Sequence, residues 1–198
     1  MTNRRFKPAA GSACGAVIGL VLSAAMLASC APPATAPSGP VEALKLDGPG
    51  GAKSLTLAAV KAMPATEGWA GTKSRSGRTN GPDRYKGVSI VALADLVGGL
   101  AAGGSVVLTA KDGYVTALTY QQITRGDLTT YDPNSGDKTK VKGPLTVMLA
   151  YEKAGKPLDE AAEGPLKLVV VSQGKSQVVE SHWAIRQVTQ VTVRKARD

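Results

Sequence analysis

The chain has 198 residues, 24 Lys and Arg against 15 Asp and Glu, a formal net charge of +9 and a single histidine, His182. That length suits one domain with a sizeable core. No period of repeat length is present, which excludes an array, and one histidine excludes zinc ligation by a histidine cluster.

The N-terminus places Arg4, Arg5 and Lys7 before an uncharged run from Ala9 to Ser29 that includes GAVIGLVLSAAMLASC. This is a signal-peptide layout. The run is long enough to span a bilayer nominally, but it is rich in Ala, Gly and Ser and closes on Leu27-Ala28-Ser29-Cys30. That ending resembles the lipobox of bacterial lipoproteins; a retained signal anchor, or an ordinary signal peptide with a chance cysteine, is the alternative. The expectation is a lipoprotein signal peptide over 1–29, a lipidated Cys30, and a Pro-rich tether over 30–40. Several acyl chains on one residue hold a protein firmly, at about 0.8 kcal/mol per buried methylene. The domain over 41–198 then belongs to the cell envelope, lipid-anchored on the extracytoplasmic side of a bacterial membrane. Cys14 leaves with the signal and Cys30 carries lipid, so the folded part has no thiol, no disulfide and no cysteine metal site. Without Arg4, Arg5 and Lys7, the 24 cations fall to 21 against 15 acids, a net charge near +6. Such an excess suits phosphate, acidic lipid or polyanionic cell-wall polymer. For an exported protein no nucleic acid partner is expected.

From Val41 onward, VEALKLDG predicts a first strand ended by Gly48-Pro49-Gly50-Gly51. SLTLAAVKAMP predicts a short helix capped by Ser54 or Thr56, with Leu57, Val60 and Met63 on one face and Pro64 as its stop. The stretch GTKSRSGRTNGPDRYKGV then gathers Lys73, Arg75, Arg78, Arg84 and Lys86 around the single acid Asp83, and reads as a basic loop. A second helix follows, with Ser89 as N-cap, Ile90, Leu93, Leu96 and Val97 as the buried stripe and Gly98-Gly99 as terminator. Beyond it, SVVLTA and YVTALTY flank Lys111-Asp112-Gly113 as a hairpin. LTVMLAYE, LKLVVVSQ and QVTQVTV are β-branched runs of strand length, and the polar TTYDPNSGDKTKVKGP reads as a surface excursion. The order implies an α+β domain, a mixed sheet with a few short helices. Leu57, Val60, Ile90, Leu93, Leu96, Val107, Val147, Leu149, Leu168, Val170 and Trp183 are the expected core.

Taken in order, these pieces resemble the molybdopterin-binding domain of sulfite-oxidase type, from about Val41 to Val193. SLTLAAVKAMP looks like its first helix, and YKGVSIVALADLV like its Tyr-x-Gly-Val element and Leu-rich helix. TAKDGYVTALT is similar to its Asp-Gly-Tyr hairpin, VMLAYEKAGKPL to a strand with a Gly turn and Pro-Leu, EGPLKLVVV to its Gly-x-Pro-Leu strand, and HWAIRQVTQVTV to its final Trp-bearing strand pair. Catalytic members bind molybdenum through a cysteine thiolate between the first helix and the Tyr-x-Gly-Val element. Here that region is ATEGWAGTKSRSGRTNGPDR, which has no cysteine, and an alkoxide from Ser74 or Ser76 is not the same soft ligand.

The resemblance therefore implies a molybdopterin-type pocket without molybdenum. It puts Lys73, Arg75, Arg78 and Arg84 beside that pocket, where their charge suits a pyrophosphate, sulfonate or carboxylate. The residues alone are equally consistent with a solvated surface loop. Tyr114 matches a family tyrosine near the pocket, or packs across the hairpin. His182 is either a pocket residue or a structural histidine beside Trp183, since neither a nucleophile motif nor paired carboxylates accompany it. Trp69 reads as core or pocket wall, and Asp112 as a turn residue. Three functions follow: a non-catalytic lipid-anchored module binding an anionic ligand or an envelope protein, an active molybdopterin-dependent oxidoreductase with a non-cysteine ligand, or a structural envelope protein resting on anionic polymer. NRRFKP has the arginine pair of a twin-arginine signal, but Phe6 follows it directly and Pro8 lies close by.

Overall fold

The computed structural model describes residues 41–196; the signal, Cys30 and the tether lie outside them. In chain order the elements are β1 (Glu42–Gly48), β2 (Gly51–Thr56), α1 (Leu57–Lys61), β3 (Thr66–Lys73), β4 (Thr79–Ser89) and α2 (Ile90–Asp95). Next come β5 (Ser105–Ala110), β6 (Val115–Thr119), α3 (Tyr120–Arg125), β7 (Thr130–Tyr131), β8 (Lys138–Thr139) and β9 (Leu145–Lys153). The chain continues through β10 (Lys156–Pro157), β11 (Lys167–Ser172), β12 (Val178–Glu180), a single 3-10 turn (Ser181–Trp183) and β13 (Val188–Arg194). Strands with a few short helices make this the expected α+β fold.

The strands form two sheets, one ordered β2-β1-β13-β5-β6 and the other β10-β9-β11-β3-β12-β7-β8, with β4 pairing both β3 and β9. Each sheet is mixed. β1 runs parallel to β13, with Leu46 opposite Val191, and β12 runs parallel to β3, with Val179 opposite Thr72. Because β4 pairs β3 and β9, and β11 pairs β9 and β3, these four strands close into a ring. The ring explains why LTVMLAYE and LKLVVVS are continuously apolar instead of alternating, since both faces of these strands are buried. On one face Val147, Leu149, Tyr151, Leu168 and Val170 join the main core with Leu44, Leu46, Val106, Leu108, Ile90 and Leu93. On the other, Met148, Ala150, Val169 and Val171 pack with Ala70, Tyr85 and Leu158 inside the ring.

Local signals set the element ends. The Thr56 hydroxyl accepts from Ala59 N at 3.1 Å to cap α1, and the Ser89 hydroxyl accepts from Ala92 N at 3.2 Å to cap α2. In the β5–β6 connection the Asp112 carboxylate accepts from Tyr114 N at 2.9 Å, the turn role its spacing predicts.

Four expectations need correction. Ser54 is no cap, because residues 51–56 fold back on β1 as β2, with Gly48 opposite Gly51. The strand run ending in Thr119-Tyr120 stops at Thr119, where a reciprocal capping box with Gln122 starts α3, which Gly126 ends in the left-handed region at φ 65°. The basic stretch is the β3–β4 hairpin, not a loop: strand pairing runs from Thr66–Gly87 out to Lys73–Thr79 and leaves residues 74–78 as its tip. Finally, Trp183 lies in the 3-10 turn instead of a strand, and with Leu57 and Leu96 it is only half-buried against the core. Leu96 is already the C-cap of α2, where the helical stripe runs out. The other expected core residues are buried.

Candidate functional site

A cleft of about 430 Å³ opens between the β3–β4 hairpin, β11, β12 and the 3-10 turn. The volume lies within the range of small-molecule sites. Its apolar walls come from Ala70, Val169, Val170, Val179, Trp183 and Ala184. Its charges come from Arg78, Lys153, Lys167 and Arg186 against Asp83 and Glu163.

Tyr85 organises the deep end. Strand alternation turns it into the β-ring, 5% exposed, while its neighbours Arg84 and Lys86 face outward and pair with Glu67 at 2.7 and 3.5 Å. Two lysines flank the tyrosine ring, Lys167 at 5.4 Å and Lys153 at 5.7 Å from its centre. Each has a carboxylate. Lys153 Nζ lies 2.9 Å from Asp83, and Lys167 Nζ donates to Glu163. The Asp83 hydrogen bond raises the Lys153 pKa against the opposing effect of burial. Lys167 is 7% exposed and its Nζ also lies 3.4 Å from the Tyr85 hydroxyl. A charge this buried requires a partner, and Glu163 supplies it.

The residues singled out by sequence do not form one constellation. Arg78 lines the cleft. Lys73 and Arg75 line a separate hollow with Tyr131, Glu180, Ser181 and His182. There Lys73 Nζ donates to the Gly136 carbonyl and sits 4.4 Å from the centre of the Tyr131 ring. Arg84 lies on the outer face of β4, bound to Glu67, whose pKa that hydrogen bond lowers. Tyr114 is half exposed and shares a shallow hollow with His182, Arg186 and Asp112. The His182 ring packs against Trp183 at a tilt of 50° with centroids 4.0 Å apart, and its Nδ1 lies 3.5 Å from Glu180. Glu180 also accepts from the Tyr131 hydroxyl at 2.9 Å, which raises the Tyr131 pKa. Ser74 and Ser76 close the hairpin tip: their hydroxyls lie 2.9 Å apart, and the Ser74 hydroxyl accepts from Arg78 N at 3.1 Å.

Sequence reasoning missed Lys153, Lys167, Arg186, Asp83 and Glu163 as members of a site. One signal was available for Lys167, a lysine set inside the apolar run PLKLVVV. A buried charge requires a partner, and Glu163 supplies it from four residues back.

No family model matches the sequence, and no curated protein is similar to it. Among solved structures the chain is similar to the sulfane dehydrogenase SoxCD from Paracoccus pantotrophus, at 16% identity with a TM-score of 0.53. The match covers 76% of this chain and 37% of that chain, so this protein spans well under half the length of its structural relative. At that identity the likeness carries the fold alone, an α+β domain like the sulfite-oxidase molybdopterin-binding domain.

The donor set does not suit the metal of that fold family. Residues 41–196 contain no cysteine, and among the described residues no three His, Cys, Asp or Glu side chains cluster to hold an ion. The hairpin serines are committed to the tip. A soft anionic ligand for an oxo-molybdenum centre is missing from the side chains themselves.

Proposed function

We propose that this protein is a lipid-anchored, extracytoplasmic binding module that uses the cleft of a molybdopterin-domain fold to hold a small anionic ligand, without molybdenum chemistry. One observation carries the reading. The two lysines of the cleft are paired to its two carboxylates, whereas Arg78 and Arg186 line the same cleft with no carboxylate partner among the described residues. The cleft therefore has two surplus positive charges, both on planar guanidinium groups suited to phosphate, sulfonate or carboxylate oxygens. The missing thiolate supports the non-metal part of the reading, and Leu27-Ala28-Ser29-Cys30 supports the anchor.

Titration of the full chain with inorganic pyrophosphate tests the binding. Binding should be salt-sensitive, and the Arg78→Ala/Arg186→Ala double variant should weaken it about tenfold or more. Affinity that is unchanged in the double variant overturns the reading. Elemental analysis of protein from its native envelope should find no stoichiometric molybdenum, and close to one atom per chain contradicts the proposal. Cys30→Ser should release the protein from lipid or stop its processing.

A further inference from the structure

The charges of the cleft are graded with depth. At its mouth Arg78 and Arg186 are exposed. On its floor Tyr85, Lys167, Val169 and Val170 are all at most 7% exposed, and the floor's formal charges cancel between Lys167 and Glu163. The floor is still rich in hydrogen-bonding capacity. An ammonium has three donors; Lys167 directs one to Glu163 and one toward the Tyr85 oxygen, which leaves one. The Tyr85 hydroxyl keeps its own proton to donate. Glu163 is bonded to Lys167 through Oε1, and its Oε2 takes no protein donor among the described residues.

A spare donor pair beside a spare acceptor matches an amide-type edge, a carbonyl next to an N–H. A second anion would gain little there, because Glu163 already neutralises Lys167 and would repel it. Resting on the anion-binding reading above, we infer that the ligand is two-ended and enters with its neutral end first. An amide or lactam edge meets Tyr85, Lys167 and Glu163 on the floor, the ligand body lies against Val170, Val179 and Trp183, and the anionic group stays at the mouth on Arg78 and Arg186. Nucleotides of 6-oxopurines such as guanine and N-acylated peptides with a free carboxylate share this chemistry.

Calorimetric titrations of the full chain with inorganic phosphate, guanosine 5′-monophosphate and N-acetyl-alanyl-alanine separate the possibilities. At least one of the two-ended probes should bind about ten times more tightly than phosphate, and the tighter of the two names the source. Tyr85→Phe should weaken that probe about fivefold and leave phosphate unchanged, because it removes only the floor donor. Arg78→Ala/Arg186→Ala should weaken both and flatten their salt dependence. If phosphate binds through the arginines but neither probe gains on it, or if Tyr85→Phe weakens phosphate equally, the orientation is wrong while anion binding stands. If no anion responds to the loss of the arginines, both readings fall.

Discussion

At the tip of the β3–β4 hairpin, Arg75 and Arg78 flank a glycine turn, Arg78 on the side that lines the cleft, and Lys73 is held by the Gly136 carbonyl and the Tyr131 ring. At its base, Tyr85 is enclosed between two lysines that each have a carboxylate, and Gly87 passes against the Leu149 carbonyl. The tip carries the conspicuous charge, and the base carries the built polar network. Of the run of cations only Arg78 reaches the cleft, while the lysine on the cleft floor sits alone in an apolar strand. Charge density along a chain measures exposure, whereas an isolated charge among apolar residues measures partnership.

Tip and base should differ most at two glycines, Gly77 and Gly87. A Cβ on Gly87 would press onto backbone of β9, the Leu149 carbonyl and Ala150 Cα, which has no room to move. Gly87→Ala should cost about 3 kcal/mol or more, or abolish folding. Gly77 has open space around it but a φ of +87°, so Gly77→Ala should cost only about 1–2 kcal/mol. Urea denaturation of both variants checks the ranking, and equal losses would mean that the base is no tighter than the tip.

Next in size is the charge pair. Glu163→Gln leaves the buried Lys167 without its counter-charge and should cost about 3 kcal/mol, the lower end for a broken buried pair because Glu163 keeps 21% of its side chain in solvent. Arg75→Ala at the tip should change stability by no more than about 0.5 kcal/mol. Thermal melts of the two variants at equal protein concentration measure the contrast.

The smallest effect is at the outer face of the base. The Arg84 hydrogen bond lowers the Glu67 pKa below its ordinary value of 4.5, so the folded state binds this proton less readily than the unfolded one. Its contribution is present above that ordinary value and is lost as the pH falls through the lowered one. Glu67→Gln should therefore be slightly less stable than the parent at pH 7, and the gap should close under acid. A gap that persists below pH 3 would assign the loss to packing instead of charge. The Lys153–Asp83 pair has the opposite sign. A raised lysine pKa keeps its contribution through neutral pH and loses it only as the pH climbs past the ordinary 10.5.

The fold was legible where local chemistry and tertiary packing agree. Thr56 and Ser89 cap their helices, and the Lys111-Asp112-Gly113 turn joins β5 to β6. The continuous apolar runs of β9 and β11 are buried on both faces. The hairpin was not legible, because Gly, Ser and Asn in GTKSRSGRTNG argue for a loop. Only long-range pairing holds its flanks as strands, Thr72 with Asn80 and Lys73 with Thr79 across the hairpin and Thr72 and Lys73 with β12 on the other side. The same limit hid the cleft. Lys153, Lys167, Arg186, Asp83 and Glu163 converge from β9, β11, the segment after the 3-10 turn, β4 and the turn before β11, and no spacing along the chain encodes that convergence. Arg78 alone of the four expected basic residues lines the cleft; Lys73 and Arg75 line the neighbouring hollow, and Arg84 faces outward on β4.

A crystal structure of the full chain soaked with guanosine 5′-monophosphate shows whether the cleft or the neighbouring hollow of Lys73 and Arg75 receives the anion. The inferred orientation requires phosphate density against Arg78 and Arg186 at the mouth of the cleft, with the base directed toward Tyr85 and Lys167. Phosphate bound instead in the hollow of Lys73 and Arg75, with the cleft unchanged, would contradict it.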